Sequence, residues 1–304
     1  MMTHKKAVLL MVLVTLLWST AGVVTRHLEA ARSFEVTFWR SFFAGVAVLM
    51  VLLAKGAKAG AGPLQARQGG WRRLMDTLRT ATPVFWVSSV CWCGMFTFFM
   101  LAIMLTSVAN VLVTLALGPL ITALMARLWI GHRLALRTWV AIGVAGAGMA
   151  YMYADQVASG QWGGTLLALC VPLAGALNWT LTQRAHAHGD NVDLAPAVMV
   201  GGLLSAAITL PLAWPLQSTG HDVALLAFLG LTQLAVPCLL VVVCAKYLPA
   251  PELALLALLE VIFGILLAWV GAGEVPSQSV LLGGTLVIAA LAGNEILGWK
   301  QKNH

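Results

Sequence analysis

Charge is scarce in this sequence. Only 10% of its 304 residues are Asp, Glu, Lys or Arg, where a soluble domain carries about 25%. A chain so poor in charge cannot cover itself with water-facing side chains, which excludes an ordinary soluble enzyme or binding module. Acidic residues are scarcer still, 11 against 18 basic ones. Cysteine is also sparse: Cys91, Cys93, Cys170, Cys238 and Cys244, all inside apolar runs. Cys91 and Cys93 would point about 200° apart on a helix, a poor arrangement for two ligands of one metal. The five read as small apolar fillers, with neither a disulfide nor a metal site. No glycine-rich nucleotide loop is present, which argues against direct ATP coupling, and no cofactor is expected. The histidines form no acid–base or metal cluster. His186 and His188, with Asp190 and Asp193, read as a solvated loop.

Apolar residues fill the space that charge leaves. They make up 60% of the chain, and the mean hydropathy is +0.90. The net charge of +7 raises the question of nucleic acid. Basic cytoplasmic loops of a membrane protein explain it better, so no nucleic-acid partner is expected. A hydrocarbon core of about 30 Å needs about 20 apolar residues. That ruler marks ten spans: 6–28, 34–54, 82–104, 108–130, 137–153, 163–184, 192–214, 222–246, 251–271 and 278–299. The first is too long for a secretory leader and contains Trp18 and Arg26, so it reads as a span.

Basic residues orient the spans. With the N-terminus inside, the inner segments hold Lys5, Lys6, Lys55, Lys58, Arg67, Arg72, Arg73, Arg79, Arg127, Arg133, Arg137, Arg184, Lys246, Lys300 and Lys302. The outer segments hold only Arg26 and Arg32. Both termini are therefore expected in the cytoplasm, in a multi-pass protein of a bacterial inner membrane. Within the basic loop 55–80, Trp71-Arg72-Arg73-Leu74 reads either as an amphipathic turn on the inner leaflet or as a flexible loop. Membrane lipid is thus an expected partner.

The sequence also repeats itself. A shift of 141 lays the fourth and fifth spans on the ninth and tenth: Leu115 on Leu256, Leu117 on Leu258, Ile121 on Ile262, Gly143 on Gly284. A shift of 158 lays the first two spans on the sixth and seventh, with Arg26 on Arg184. The division expected is 1–154 and 155–304. Five spans per half make the second half upside down relative to the first. Inverted repeats place a substrate site near the midplane, between two bundles that can rock. The expected fold is all-α and integral to the membrane, with ten transmembrane helices as two inverted five-helix repeats around a central cavity.

Polar groups inside apolar spans need a reason, because a charge there costs about 2.5–3.5 kcal/mol on insertion scales. Glu260 sits between Leu259 and Val261. A low dielectric favours the neutral carboxyl, so Glu260 is the candidate for proton coupling or for contact with a substrate amine. A protonated packing residue is the alternative. Arg40 would bind a substrate carboxylate through its fork, snorkel outward, or clamp against Glu35 or Glu260. Asn178 and Gln233 would line the cavity or join helices, as would Thr20 and Asn110. Trp18, Trp92 and Phe96 lie deep, and Trp92 and Phe96 share a helix face. They would wall a site or face lipid. Trp129, Trp162 and Trp299 suit interfacial belts. Gly143, Gly146 and Gly148, with Ala289 and Gly293, offer small faces for internal packing or a homodimer seam. Pro119, Pro172 and Pro237 mark bends.

Several runs have a familiar order. Leu17-Trp18-Ser19-Thr20-Ala21-Gly22 and Phe38-Trp39-Arg40-Ser41-Phe42-Phe43-Ala44, then Leu117-Gly118-Pro119-Leu120-Ile121-Thr122-Ala123-Leu124, then Gly273-Glu274 and Gly283-Gly284, resemble the signatures of the EamA family of the drug/metabolite transporter superfamily. The resemblance implies ten helices in two inverted repeats, a central cavity lined mainly by helices one to four and six to nine, and export of amino acids or related metabolites. His132-Arg133 departs from it where the family often shows Gly-Glu, and helix six lacks a Trp to pair with Trp18. The leading reading is a secondary-active exporter of a small-molecule substrate, working by alternating access with Glu260 as the candidate for proton coupling, and not an enzyme. The alternative is an integral-membrane enzyme acting on a lipid-linked substrate.

Overall fold

The computed structural model describes residues 3–58, 63–130, 135–158, 162–187, 194–244, 247–248 and 256–302. His188, Asp190, Asp193, His132, Arg133 and Lys246 lie outside the described residues. So do the side chains of Lys55, Lys58, Arg67, Trp129, Arg184, His186, Trp299, Lys300 and Lys302.

Every regular element among the described residues is helical. The helices are α1 (His4–Thr25), α2 (Ser33–Lys58), α3 (Pro63–Arg79), α4 (Pro83–Leu105), α5 (Val108–Leu115), α6 (Gly118–Ile130), α7 (Leu136–Ala158), α8 (Trp162–Ala187), α9 (Leu194–Ala213), α10 (Gly220–Phe228), α11 (Val236–Cys244), α12 (Leu259–Ala272) and α13 (Gln278–Lys302). A π-helical segment, Leu229–Ala235, joins α10 to α11.

Local chemistry sets the ends. Thr82 and Ser107 cap α4 and α5 by accepting from Phe85 N and Asn110 N, and Pro83 occupies the first turn of α4. Thr219 and Asp222 form a capping box on α10. α12 ends at Gly273, whose φ of 66° suits glycine. The π segment has a cause in Pro237, which has no N–H for the carbonyl of Gln233. The wider turn absorbs the mismatch, with Val236 N bonding instead to Leu231 O.

Among the described residues, seven helical stretches are long and apolar enough to cross a membrane: His4–Thr25, Ser33–Ala54, Pro83–Leu105, Val108–Met125, Ala195–Ala213, Gly220–Val241 and Gln278–Gly298. Trp162–Asn178 and Leu259–Ala272 are shorter apolar helices. Large apolar side chains face outward all along them, such as Leu9, Met50, Val90 and Val270. Water would penalise such a surface, whereas lipid accepts it. The chain is a multi-pass membrane protein.

Loop 55–80, left open by its sequence, contains a full helix. α3 packs Leu74, Met75 and Leu78 with Leu49, Leu52 and Leu53 of α2, and leaves Trp71, Arg72, Arg73 and Arg79 exposed. The fourth predicted span is interrupted. Ala116 and Leu117 form a turn between α5 and α6, just before Pro119. A second turn falls at Leu258, before α12. Leu117 and Leu258 are the residues that the shift of 141 superposes. The two breaks face each other, since α5 packs against α12.

The principal packing pairs have an exchange pattern. α2 packs on α9, and α7 on α13. α4 packs on α8 and α9, as the α10–α11 rod packs on α1 and α2. α1 packs on α12, as α8 packs on α5 and α6. Gly148 and Gly283 let α7 and α13 meet backbone to backbone: a Cβ on Gly148 would lie 2.7 Å from the carbonyl oxygen of Gly283. Gly143, Gly146 and Gly293 have open space instead.

Candidate substrate-binding site

Arg40 is a large, fully enclosed side chain, 2% exposed and far from snorkelling. Its Nε and Nη2 both donate to Oε1 of Gln233, at 2.9 and 2.8 Å. Its guanidinium carbon lies 5.3 Å from the ring centre of Phe99, a cation–π contact. Its Nη1 has no hydrogen-bond partner among the described residues. Gln233 sits in the π-helical segment and donates from Nε2 to the carbonyl of Trp18, at 3.3 Å. Three elements, α1, α2 and the π segment, thus meet on one amide.

Glu260, in the first turn of α12, is half-buried. It lines a cavity of about 100 Å3 together with Leu112, Leu115, Ala116, Pro119, Ala257, Leu258 and Val261. This is the place where the α5–α6 break meets the α12 break. Glu260 lies within electrostatic range of Arg40, and the Cys238 thiol is in range of both. They form no ion pair within 4.0 Å. The clamp with Glu35 considered from sequence does not form, because Glu35 is engaged elsewhere.

Trp92 and Phe96 share a face as their spacing requires, with ring centres 5.5 Å apart. Phe96 belongs to the same packed cluster as Leu234 and Ala235, which follow Gln233 in the π-helical segment. Thr20 and Asn110 form their hydrogen bonds elsewhere. Thr20 donates to Leu17 O in its own helix. Asn110 donates to Thr106 and to Thr165 of α8, at 3.2 and 2.8 Å, and so joins helices. Asn178 is fully buried within α8. A hydroxyl chain that sequence reasoning missed runs from Ser41 through Ser205 to Thr97, at 3.1 and 2.8 Å, linking α2, α9 and α4.

One end of the bundle is tied by carboxylates, also missed. Glu35 accepts from the backbone N–H groups of Gln217 and Ser218 and from the Ser218 hydroxyl. Asp222 accepts from the backbone of Glu29, Ala30 and Ala31. Glu274 accepts from Arg26 Nε at 2.7 Å and from Val108 N at 2.6 Å, while Arg26 also donates to the carbonyls of Ile103 and Thr106. The one signal in sequence was a carboxylate at the edge of an apolar run, which does not say what it will hold.

The model of the EamA-like transporter family matches residues 5–154 and 162–294. The chain belongs to the EamA-like transporter family. A crystal structure that covers 97% of this transporter and 98% of its own chain superposes with a TM-score of 0.63 at 20% identity. That likeness carries the fold. No curated protein matches the sequence. Membership makes the chain transporter-like.

Proposed function

We propose that this EamA-like protein is a secondary-active transporter that exports amino acids or related metabolites by alternating access. The observation that carries the proposal is a deeply buried arginine with one free donor, set near a carboxylate in a cavity between two broken helices. A buried charge costs several kcal/mol, about 2.5–3.5 even on the lenient scales, and is retained where it meets a charged ligand. Arg40 takes the substrate carboxylate. Glu260 meets the substrate amine or carries the coupling proton. Trp18, Trp92 and Phe96 supply the apolar wall, and Gln233 holds Arg40. Thr20, Asn110 and Asn178 contribute from the cavity side when the bundle opens.

The architecture proposed is ten spans in two inverted repeats, 1–154 and 155–304, with α5 and α6 as one span and the α10–α11 rod as another. The exchange pattern of the packing pairs and the matching breaks at Leu117 and Leu258 favour it. The carboxylate-tied end is the outer one, and both termini are cytoplasmic in a bacterial inner membrane, on the distribution of basic residues. The open faces at Gly143, Gly146 and Gly293 leave room for a homodimer.

Counterflow in proteoliposomes with a panel of labelled amino acids, with and without a pH gradient, tests the proposal. Uptake of at least one amino acid is expected. No uptake of any solute, together with turnover of a lipid-linked substrate, would overturn it in favour of an enzyme. Glu260→Gln should fold and show altered transport or altered pH dependence. Wild-type rates at every pH would remove Glu260 from the mechanism.

A further inference from the structure

We infer that Gln233 sets the charge selectivity of this site: it aims Arg40 without neutralising it, so that the arginine stays available to an anionic group on the substrate. The inference rests on the reading of Arg40 as the substrate anchor.

Arginine only donates hydrogen bonds, and a backbone carbonyl only accepts them. A single orientation of the Gln233 amide therefore satisfies both neighbours, Oε1 toward Arg40 and Nε2 toward Trp18 O. Oε1 takes the Nε and Nη2 edge of the guanidinium, which leaves Nη1 as the free donor. A carboxylate at position 233 would take the same edge and form a bidentate ion pair. That pair would be cheaper to bury, because an uncompensated charge is what burial penalises. The chain carries the more expensive arrangement. Phe99 offsets part of the cost through its ring face, and Glu260 part of it from beyond ion-pair distance; the remaining positive field is what an anion would feel. The π-helical segment belongs to the same device. A helix that keeps its register past Pro237 would turn position 233 to another direction, since one residue corresponds to about 100°.

The test compares wild type with Gln233→Glu in proteoliposomes. The probes are labelled L-amino acids and, for whichever amino acid responds, the amine that lacks its carboxylate. Melting of the purified variant checks that it is folded. Q233E should melt at or above the wild-type temperature, raise KM for the amino acid by about tenfold or more, and spare the amine, a shift of about 1.4 kcal/mol per tenfold. A folded Q233E with unchanged KM and unchanged preference overturns the inference and leaves the transport reading standing. If wild type moves neither amino acids nor amines, the transport reading falls and the inference falls with it. Should Q233E not fold, Gln233→Met replaces it. Q233M keeps the Arg40 charge and removes its holder, so KM should rise while the preference for the carboxylate-bearing probe persists. An unchanged KM in Q233M would also overturn the inference.

Discussion

Replacing Glu274 with alanine removes the acceptor for two donors at once. Arg26 Nε lies 2.7 Å from one carboxylate oxygen and Val108 N lies 2.6 Å from the other. A hydrogen bond to a charged group contributes about 1.5–3 kcal/mol. Val108 opens α5, where the helix dipole adds about 0.3–1 kcal/mol for a carboxylate. Both side chains keep some water contact, 27% for Arg26 and 19% for Glu274, so the sum is discounted to about 2–4 kcal/mol. At about 2–4 °C per kcal/mol, the detergent-purified variant should melt about 4–16 °C below wild type. Glu274→Gln keeps one acceptor oxygen and should lose roughly half as much. The assay is thermal unfolding followed by intrinsic tryptophan fluorescence, with Arg26→Ala and the double variant completing a cycle. The double variant should cost clearly less than the two singles added together, because both report the same pair. An E274A protein that melts with wild type, or strict additivity in the cycle, would refute the reasoning.

Asp222→Asn takes the charge from three backbone N–H groups at 29–31 and should lower stability by about 2–3 kcal/mol, read in the same melt. Gly148→Leu drives a side chain into the Gly283 carbonyl and should abolish the folded peak in size-exclusion chromatography. Gly146→Leu, which meets nothing within 4 Å, should leave that peak intact.

Much of the fold was legible because a bilayer imposes a simple rule: apolar length reads directly as a spanning helix. The rule is blind to interruptions that stay apolar. Leu115-Ala116-Leu117 is as hydrophobic as its neighbours, so the break between α5 and α6 left no trace except Pro119. α3 was half legible. Its Leu74 and Leu78 lie one turn apart, but the charges around them suit a loop equally well. At the site, the Trp92–Phe96 pair followed from spacing alone, since residues four apart share a face. The embrace of Arg40 by Gln233 did not, because it joins positions 193 residues apart through a π turn that hydropathy cannot register. Arg26 and Glu274 carried weight in sequence only as an outer charge and as part of a family motif. Their partnership spans 248 residues, and a single sequence read by itself holds no record of it. Asn110 is the converse case: its polarity was visible, but not that Thr106 and Thr165 would hold its amide.

The carboxylates Glu35 and Asp222 have a consequence for how such a protein can diverge. Each grips the main chain of a connection far away in sequence, at 217–218 and at 29–31. Main-chain N–H groups are common property of all amino acids but proline. The connection at 29–31 is therefore free to drift in identity, and a mutational scan should find it permissive to everything except proline, whereas Ser218 also bonds through its hydroxyl to Glu35 and Trp39 and should resist change. The two acids that hold these connections should tolerate almost nothing. Variation and constraint sit on opposite partners of the same hydrogen bonds, so the most variable stretches of the surface can be among the most firmly held.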